Sequence, residues 1–161
     1  MKENLKLYQR ILRLIGSNDV LFYILSWTWG AITSFIGLLL MIPFLITRKF
    51  KTFRGRLYGI FPKAFGEGWG FEMGCFFFVS NDCYDNHSMC EHESGHGIQN
   101  VLWGPLMLFV ISIPSMIRFW YIEIRVRKGK PVNPYDSIWF EGQATRWGRE
   151  YILLNPWRKD K

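Results

Sequence analysis

His92-Glu93-Ser94-Gly95-His96 sets two imidazoles and a carboxylate within five residues. On a helix, positions four apart share a face, so His92 and His96 point the same way about one turn apart. At that spacing two ring nitrogens reach a single Zn2+ ion at roughly 2.0–2.1 Å. Glu93 is turned away around the helix, too far to be a third ligand. It stands where a carboxylate can take the proton of a metal-activated water attacking a carbonyl, then hand it to the leaving amine. The chain has 3 histidines, and shuffling its residues yields about 0.002 expected copies of the pattern. Chance placement of surface histidines does not account for it.

A catalytic zinc site takes three protein ligands and keeps one position open. His87 lies only five residues before His92 and would need a sharp return of the chain. Cys83 and Cys90 would build a closed structural site with no catalytic position. Asp136 is one downstream carboxylate, and Glu141 is the stronger candidate. It sits in Glu141-Gly142-Gln143-Ala144-Thr145-Arg146-Trp147-Gly148, a predicted helix of mostly small and aromatic residues. A carboxylate on the buried side of such a helix needs a partner, which a metal supplies. The structural alternative for Glu141 is an ion pair with one of the arginines. The expected metal set is therefore His92, His96 and Glu141 around one Zn2+, with Glu93 as the catalytic base.

The elements that must position these groups follow from local signals. A helix is expected from Ser88–Cys90 to about Trp103, with Ser88 as N-cap and Glu91 three residues on. Gly104-Pro105 ends it. A second helix then carries the apolar 106–117 stretch into a basic segment, 118–130. Pro131-Val132-Asn133-Pro134 is a turn, and Ser137 caps a last helix from about Ile138 to Leu154. Leu57–Phe65 and Trp69–Ser80 are aromatic-rich runs split by Gly66-Glu67-Gly68, a hairpin pattern. The fold class is mainly α with a small β-hairpin or sheet.

With 161 residues the chain is the size of one domain; it is 49% hydrophobic and 18% aromatic, with a formal net charge of +7. That composition excludes a disordered chain, a collagen-like one and a disulfide scaffold. Val20–Ile46 is a run of 27 residues with no Lys, Arg, Asp, Glu or His. It is long enough to cross a bilayer core as a helix, although Gly30, Gly37 and Pro43 also allow a kinked or re-entrant hairpin. It is too long for a signal-peptide core and lacks a cleavage pattern, so it is expected to persist as an anchor. Val101–Ile117 is 17 uncharged residues carrying Pro105 and Pro114, marginal for spanning. Before them, Leu5, Tyr8, Ile11, Leu12 and Ile15 form one face of an amphipathic lead-in suited to an anionic membrane surface.

Arg48, Lys49, Lys51, Arg54 and Arg56 follow the first apolar run. Arg118, Arg125, Arg127, Lys128 and Lys130 follow the second. Positive charge flanks every membrane boundary, so the positive-inside rule gives no clean alternation. Two spans with both termini in the cytoplasm fit this. So does a dip into one leaflet with all polar parts, the site included, facing the cytoplasm, and that explains better why no side is poor in cations. A nucleic-acid partner is not expected, because the basic clusters fall at membrane ends. Three cysteines without Cys-x-x-Cys spacing do not require an oxidising compartment. The expected division is residues 1–56 as lead-in and anchor, and 57–161 as a catalytic core with a membrane-embedded helix at 106–117.

The motif followed by a Glu on a later helix resembles the gluzincin group of zinc metallopeptidases. In its membrane setting it is similar to the small prokaryotic integral-membrane forms called minigluzincins. The resemblance covers about Trp69 to Gly148 and implies a membrane-anchored, single-domain zincin-like metallopeptidase. It implies zinc on His92, His96 and Glu141, with Glu93 as general base. In that group an Asp four residues after the ligand Glu often orients a ligand His; here the position is Thr145, a hydroxyl without charge. An oxyanion donor would come from Tyr135, Tyr121 or Arg146. The resemblance further implies that extended peptide adds to an exposed strand edge, for which Gly70–Val79 is the candidate. Phe76-Phe77-Phe78 within it equally fits a strand packed on the core. Peptide or membrane-protein substrates and the lipid bilayer are the expected partners. The competing readings are a non-catalytic membrane protein with a structural or degenerate zinc site, and a site-2-like intramembrane protease using Asp136.

Overall fold

The computed structural model describes residues 6–17 and 19–154. Three helices, α1 (Leu7–Ser17), α2 (Asp19–Thr28) and α3 (Ala31–Ile46), lead into four strands: β1 (Phe50–Phe53), β2 (Arg56–Phe61), β3 (Gly70–Met73) and β4 (Phe76–Ser80). Then follow α4 (His87–Trp103), a π-helical turn at Leu108–Ser112, α5 (Ile113–Arg127) and α6 (Trp139–Leu154). The protein is mainly helical with a small mixed sheet, in the order β1-β2-β4-β3.

The sheet corrects the expected hairpin. Leu57–Phe65 and Trp69–Ser80 do not pair across Gly66–Gly68; β2 and β4 lie parallel, with Tyr58 opposite Phe77. The second run is itself a hairpin, folded at Gly74-Cys75 so that β3 runs antiparallel to β4. Gly74 has φ +73°, a left-handed conformation that glycine adopts without steric cost. A further strand, β1, pairs with β2 through a turn at Arg54 (φ 52°) and Gly55 (φ 83°). Both central residues are left-handed, which matches the twist of a two-residue hairpin.

β4 is the core of the molecule. Phe77, Phe78 and Val79 are at most 1% exposed and share one hydrophobic cluster with Leu12 and Ile15 of α1, Phe22 of α2, Met41 and Phe44 of α3, and Ile98 and Val101 of α4. Burying each such side chain is worth roughly 1.5–3 kcal/mol. The cluster draws on both sides of residue 56, so the N-terminal helices share one core with the rest. Phe76-Phe77-Phe78 is thus core, and only β3 lies at the sheet edge on that side.

The α1 stripe is corrected likewise. Leu12 and Ile15 are buried in protein, and Tyr8 donates its hydroxyl to Glu150 of α6 at 3.2 Å. Leu5 falls outside the described residues. Val20–Ile46 is broken at Trp29-Gly30 into α2 and α3, which make an angle of 100°. The 106–117 stretch is not one regular helix: a 3-10 turn ends at Leu106 and the π-helical turn precedes α5. The chain turns by 116° between the α4 segment and the segment from Leu108. No single helix is long and apolar enough to cross a membrane among the described residues.

Candidate metal centre

Asn86, not Ser88, caps α4: its side chain accepts from the backbone N–H of Ser88 and Met89 at 3.1 and 3.2 Å. Asn at the cap satisfies two amides that the helix leaves unpaired. The cap places His92, Glu93 and His96 in the second and third turns, where the helix is largely buried from Glu93 to Val101. Helix α6 begins at Trp139; Ser137 lies in the preceding 3-10 turn with its hydroxyl accepting from Arg118 Nη2 at 2.8 Å. Glu141 is in the first turn of α6, where the helix dipole favours an anion. The two helices touch backbone to backbone. A Cβ on Gly95 would overlap the Ala144 carbonyl, and one on Gly148 the Glu91 carbonyl.

That close approach brings three donor atoms together. Glu141 Oε2 lies 3.1 Å from His92 Nε2 and 3.1 Å from His96 Nε2, and the two nitrogens are 3.2 Å apart. Donors about 2.0 Å from a tetrahedral metal stand about 3.3 Å from one another, so the triangle fits one small ion. Glu141 is fully buried and its Oε1 has no hydrogen-bond partner. Burial raises its pKa, but hydrogen bonds from the imidazoles outweigh burial and hold the carboxyl well below its ordinary range. Among the described residues no other three His, Cys, Asp or Glu side chains gather this way.

The surrounding hydrogen bonds orient the rings of the triangle. Gln99, fully buried, donates its amide to the Phe140 carbonyl at 2.8 Å and to Gln143 Oε1 at 2.9 Å. A carbonyl only accepts, so Gln99 Oε1 faces His96 Nδ1 at 2.7 Å, and the ring must carry its proton there. With the proton on Nδ1, His96 can offer Nε2 to a cation, and one divalent ion between the three donors would make attractions of all three contacts. His92 Nδ1 is 2.9 Å from Thr145 Oγ1, so the Thr does occupy the orienting place, as a hydroxyl. Sequence reasoning missed Gln99, whose amide neither titrates nor belongs to the motif. Gln99→Met should lower zinc affinity by about 10–100-fold at unchanged helix content, measured against a chromophoric chelator. Affinity equal to wild type would remove Gln99 from this role.

Glu93 is buried, close to β3: a Cβ on Gly70 would stand 2.8 Å from Glu93 Oε1. Its Oε2 has no hydrogen-bond partner, and burial pushes the carboxyl up to about 8. Glu72 on β3 lies behind it, buried, raised well above the ordinary range by burial and by the charge of Glu93. The charge of Arg56 partly offsets the rise at Glu72. Arg56 Nη1 donates to the Ser94 carbonyl inside the motif at 2.7 Å, and its guanidinium lies 4.0 Å over the Phe22 ring. Arg56 is only 5% exposed, so it is not part of a basic membrane border.

The remaining candidates separate cleanly. Tyr135 borders the site: its ring is 6.4 Å from that of His92, and its hydroxyl is 2.9 Å from Ser115 Oγ. Burial, then the Glu141 charge, raises its pKa, so the phenol keeps its proton. Tyr121 is exposed on α5, and Arg146 reaches over Tyr8 on the far side of α6. Asp136 is exposed in the turn before α6. His87 opens α4 with its ring against Phe53. Cys83 and Cys90 are buried free thiols outside the triangle, as is Cys75. No protein-family model matches the chain, and no curated protein or solved structure shows significant similarity to it.

Proposed function

We propose that the chain is a membrane-anchored zinc metallopeptidase. The observation that carries this reading is the triangle of His92, His96 and Glu141, its His96 ring held by Gln99, beside a buried carboxylate that is not a ligand. His and carboxylate donors in a three-ligand set suit zinc with an open position. Zinc, when bound, supplies a Lewis acid that acidifies water and polarises the scissile carbonyl. Glu93 accepts the proton of the attacking water and delivers it to the departing amine, so that one water and one peptide bond become a carboxylic acid and an amine. Tyr135, which keeps its phenolic proton, is the donor for the developing oxyanion. Gln99 and Thr145 hold the two imidazoles in register. The free edge of β3, beside Glu93, receives the substrate as an added antiparallel strand. Exposed apolar faces on α2 and α3, including Val20, Ile24, Phe35 and Leu39, support the membrane anchor.

Zinc content and cleavage of a quenched peptide test the reading together. Wild type should hold one zinc and cleave; Glu141→Ala should weaken zinc binding by more than ~100-fold, with Asp136→Ala unchanged. Loss confined to Asp136→Ala would transfer the third ligand to that residue and overturn the assignment. Zinc held tightly without any cleavage would favour a structural site.

A further inference from the structure

Helix α5 has no buried residue, yet it packs on the turn that carries Tyr135 beside the site. The side that faces the protein carries Ser115 and Arg118 together with Phe119 and Ile122. Ser115 Oγ meets the Tyr135 hydroxyl, and Arg118 donates to the carbonyls of Tyr135 and Pro134 at 2.8 and 2.7 Å. Its opposite side shows Ile113, Met116, Ile117, Trp120 and Ile124 to the outside, the last four more than half exposed. These positions repeat at i, i+3, i+4, i+7 and i+11, a single apolar stripe. A helix of a soluble protein turns such a stripe inward; here it is turned outward. Glu123 at the stripe's margin is paired with Arg127 at 3.5 Å. Arg125, Arg127, Lys128 and Lys130 cluster at the C-terminal end.

Charge and direction argue against a span. The helical segment that runs from Leu108 through α5 carries Arg118, Glu123, Arg125 and Arg127, and no single helix among the described residues is long and apolar enough to cross a membrane. The segment is also bent by 116° from the one before it. Large aliphatic side chains with Trp120 and Tyr121 on one face, and cations at one end, match the acyl boundary and the headgroups of an anionic leaflet. We propose that α5 lies in the plane of one anionic phospholipid leaflet, stripe inward, holding the metal site about one helix diameter, ~10 Å, above the lipid. The substrate class follows from that height: a peptide bond in an extended segment lying close to the membrane surface, next to where a chain leaves the bilayer. The inference rests on the membrane part of the proposed function and is independent of its chemistry.

Spin-label depth along α5 tests it on the full chain in vesicles of phosphatidylcholine with phosphatidylglycerol. Cys75, Cys83 and Cys90 are buried, so a nitroxide goes to single introduced cysteines at 115–118, 120, 122 and 124. Oxygen collisions should peak at 116, 117, 120 and 124, with one shallow depth throughout, and stay low at 115, 118 and 122. Ile117→Glu with Ile124→Glu should lower the vesicle partition coefficient by ~10-fold or more. Three results would each overturn the proposal: a depth that passes through the bilayer centre, dominant collision with a water-soluble nickel chelate, or spin–spin coupling that reports a second copy on the stripe. Cleavage of a soluble quenched peptide on the same samples keeps the two readings apart. A water-exposed stripe with cleavage retained defeats the leaflet inference alone, and a shallow profile without cleavage defeats the peptidase alone.

Discussion

Replacing Glu93 with glutamine is expected to lower peptide hydrolysis by about 10²–10⁴-fold while zinc remains bound, the range for loss of one positioned proton carrier. The two observables come apart because of where Glu93 sits. The three donor atoms belong to His92, His96 and Glu141, and Glu93 contributes none of them. Glutamine has nearly the same shape, so the close contact with Gly70 survives, but an amide nitrogen cannot take a proton from water. Glutamine is uncharged and close in size to the buried carboxyl that it replaces, so folding should not suffer. Zinc stoichiometry, thermal midpoint and turnover of a quenched peptide, measured on one preparation, check the claim. Unchanged turnover in Glu93→Gln would end the general-base assignment. Loss of zinc along with turnover would mean that Glu93 supports the ligands instead.

The metal-compatible triad was more legible in the sequence than the scaffold, for physical reasons. Helical spacing is a strict rule, so two histidines four apart already state a shared face. Glu141 could be singled out because a carboxylate among small and aromatic residues needs a partner wherever the helix goes. Gln99 had no such signature: its role depends on Phe140 and Gln143, more than 40 residues away, turning its amide by hydrogen bonds. The sheet was read wrongly because adjacent strand-like runs default to hairpins. The parallel pairing of β2 with β4 arises only because Gly74 folds the second run on itself. The α1 stripe shows a different limit. An amphipathic face says that something apolar covers it, and in α1 that cover is the protein's own core rather than lipid. Arg56, counted with the boundary cations, is buried for the same reason: charge in a sequence does not declare which face it occupies.

Alanine at Gly95 or Gly148 should loosen the protein and the metal together, and the sign of that effect has to be argued. Glycine to alanine inside a helix ordinarily gains about 1 kcal/mol from propensity. Here the added methyl would run into the Ala144 or Glu91 carbonyl. Neither oxygen is the far end of a flexible side chain; each is backbone fixed within a helix, so α4 and α6 must move apart. Overpacking of this kind costs about 1–3 kcal/mol and occasionally more, and the backbone origin of the obstacle puts these sites at the upper end. The net expectation is a loss of roughly 2 kcal/mol at either site, read by denaturant unfolding of the metal-free protein. The same separation pulls Glu141 away from His92 and His96, whose contacts are 3.1 Å, so zinc affinity should fall in parallel. Gly129→Ala is the contrast: nothing lies within 4 Å of its position, and only the left-handed φ of 63° opposes a side chain. It should cost about 1–2 kcal/mol and leave zinc affinity untouched. Glu141→Ala completes the set by removing a donor atom without pushing the helices apart. Zinc loss without steric loosening in that variant, against loss of both in Gly95→Ala and Gly148→Ala, would identify helix separation as what sets the affinity. Wild-type stability and affinity in either alanine variant would show that the two backbones do not meet there.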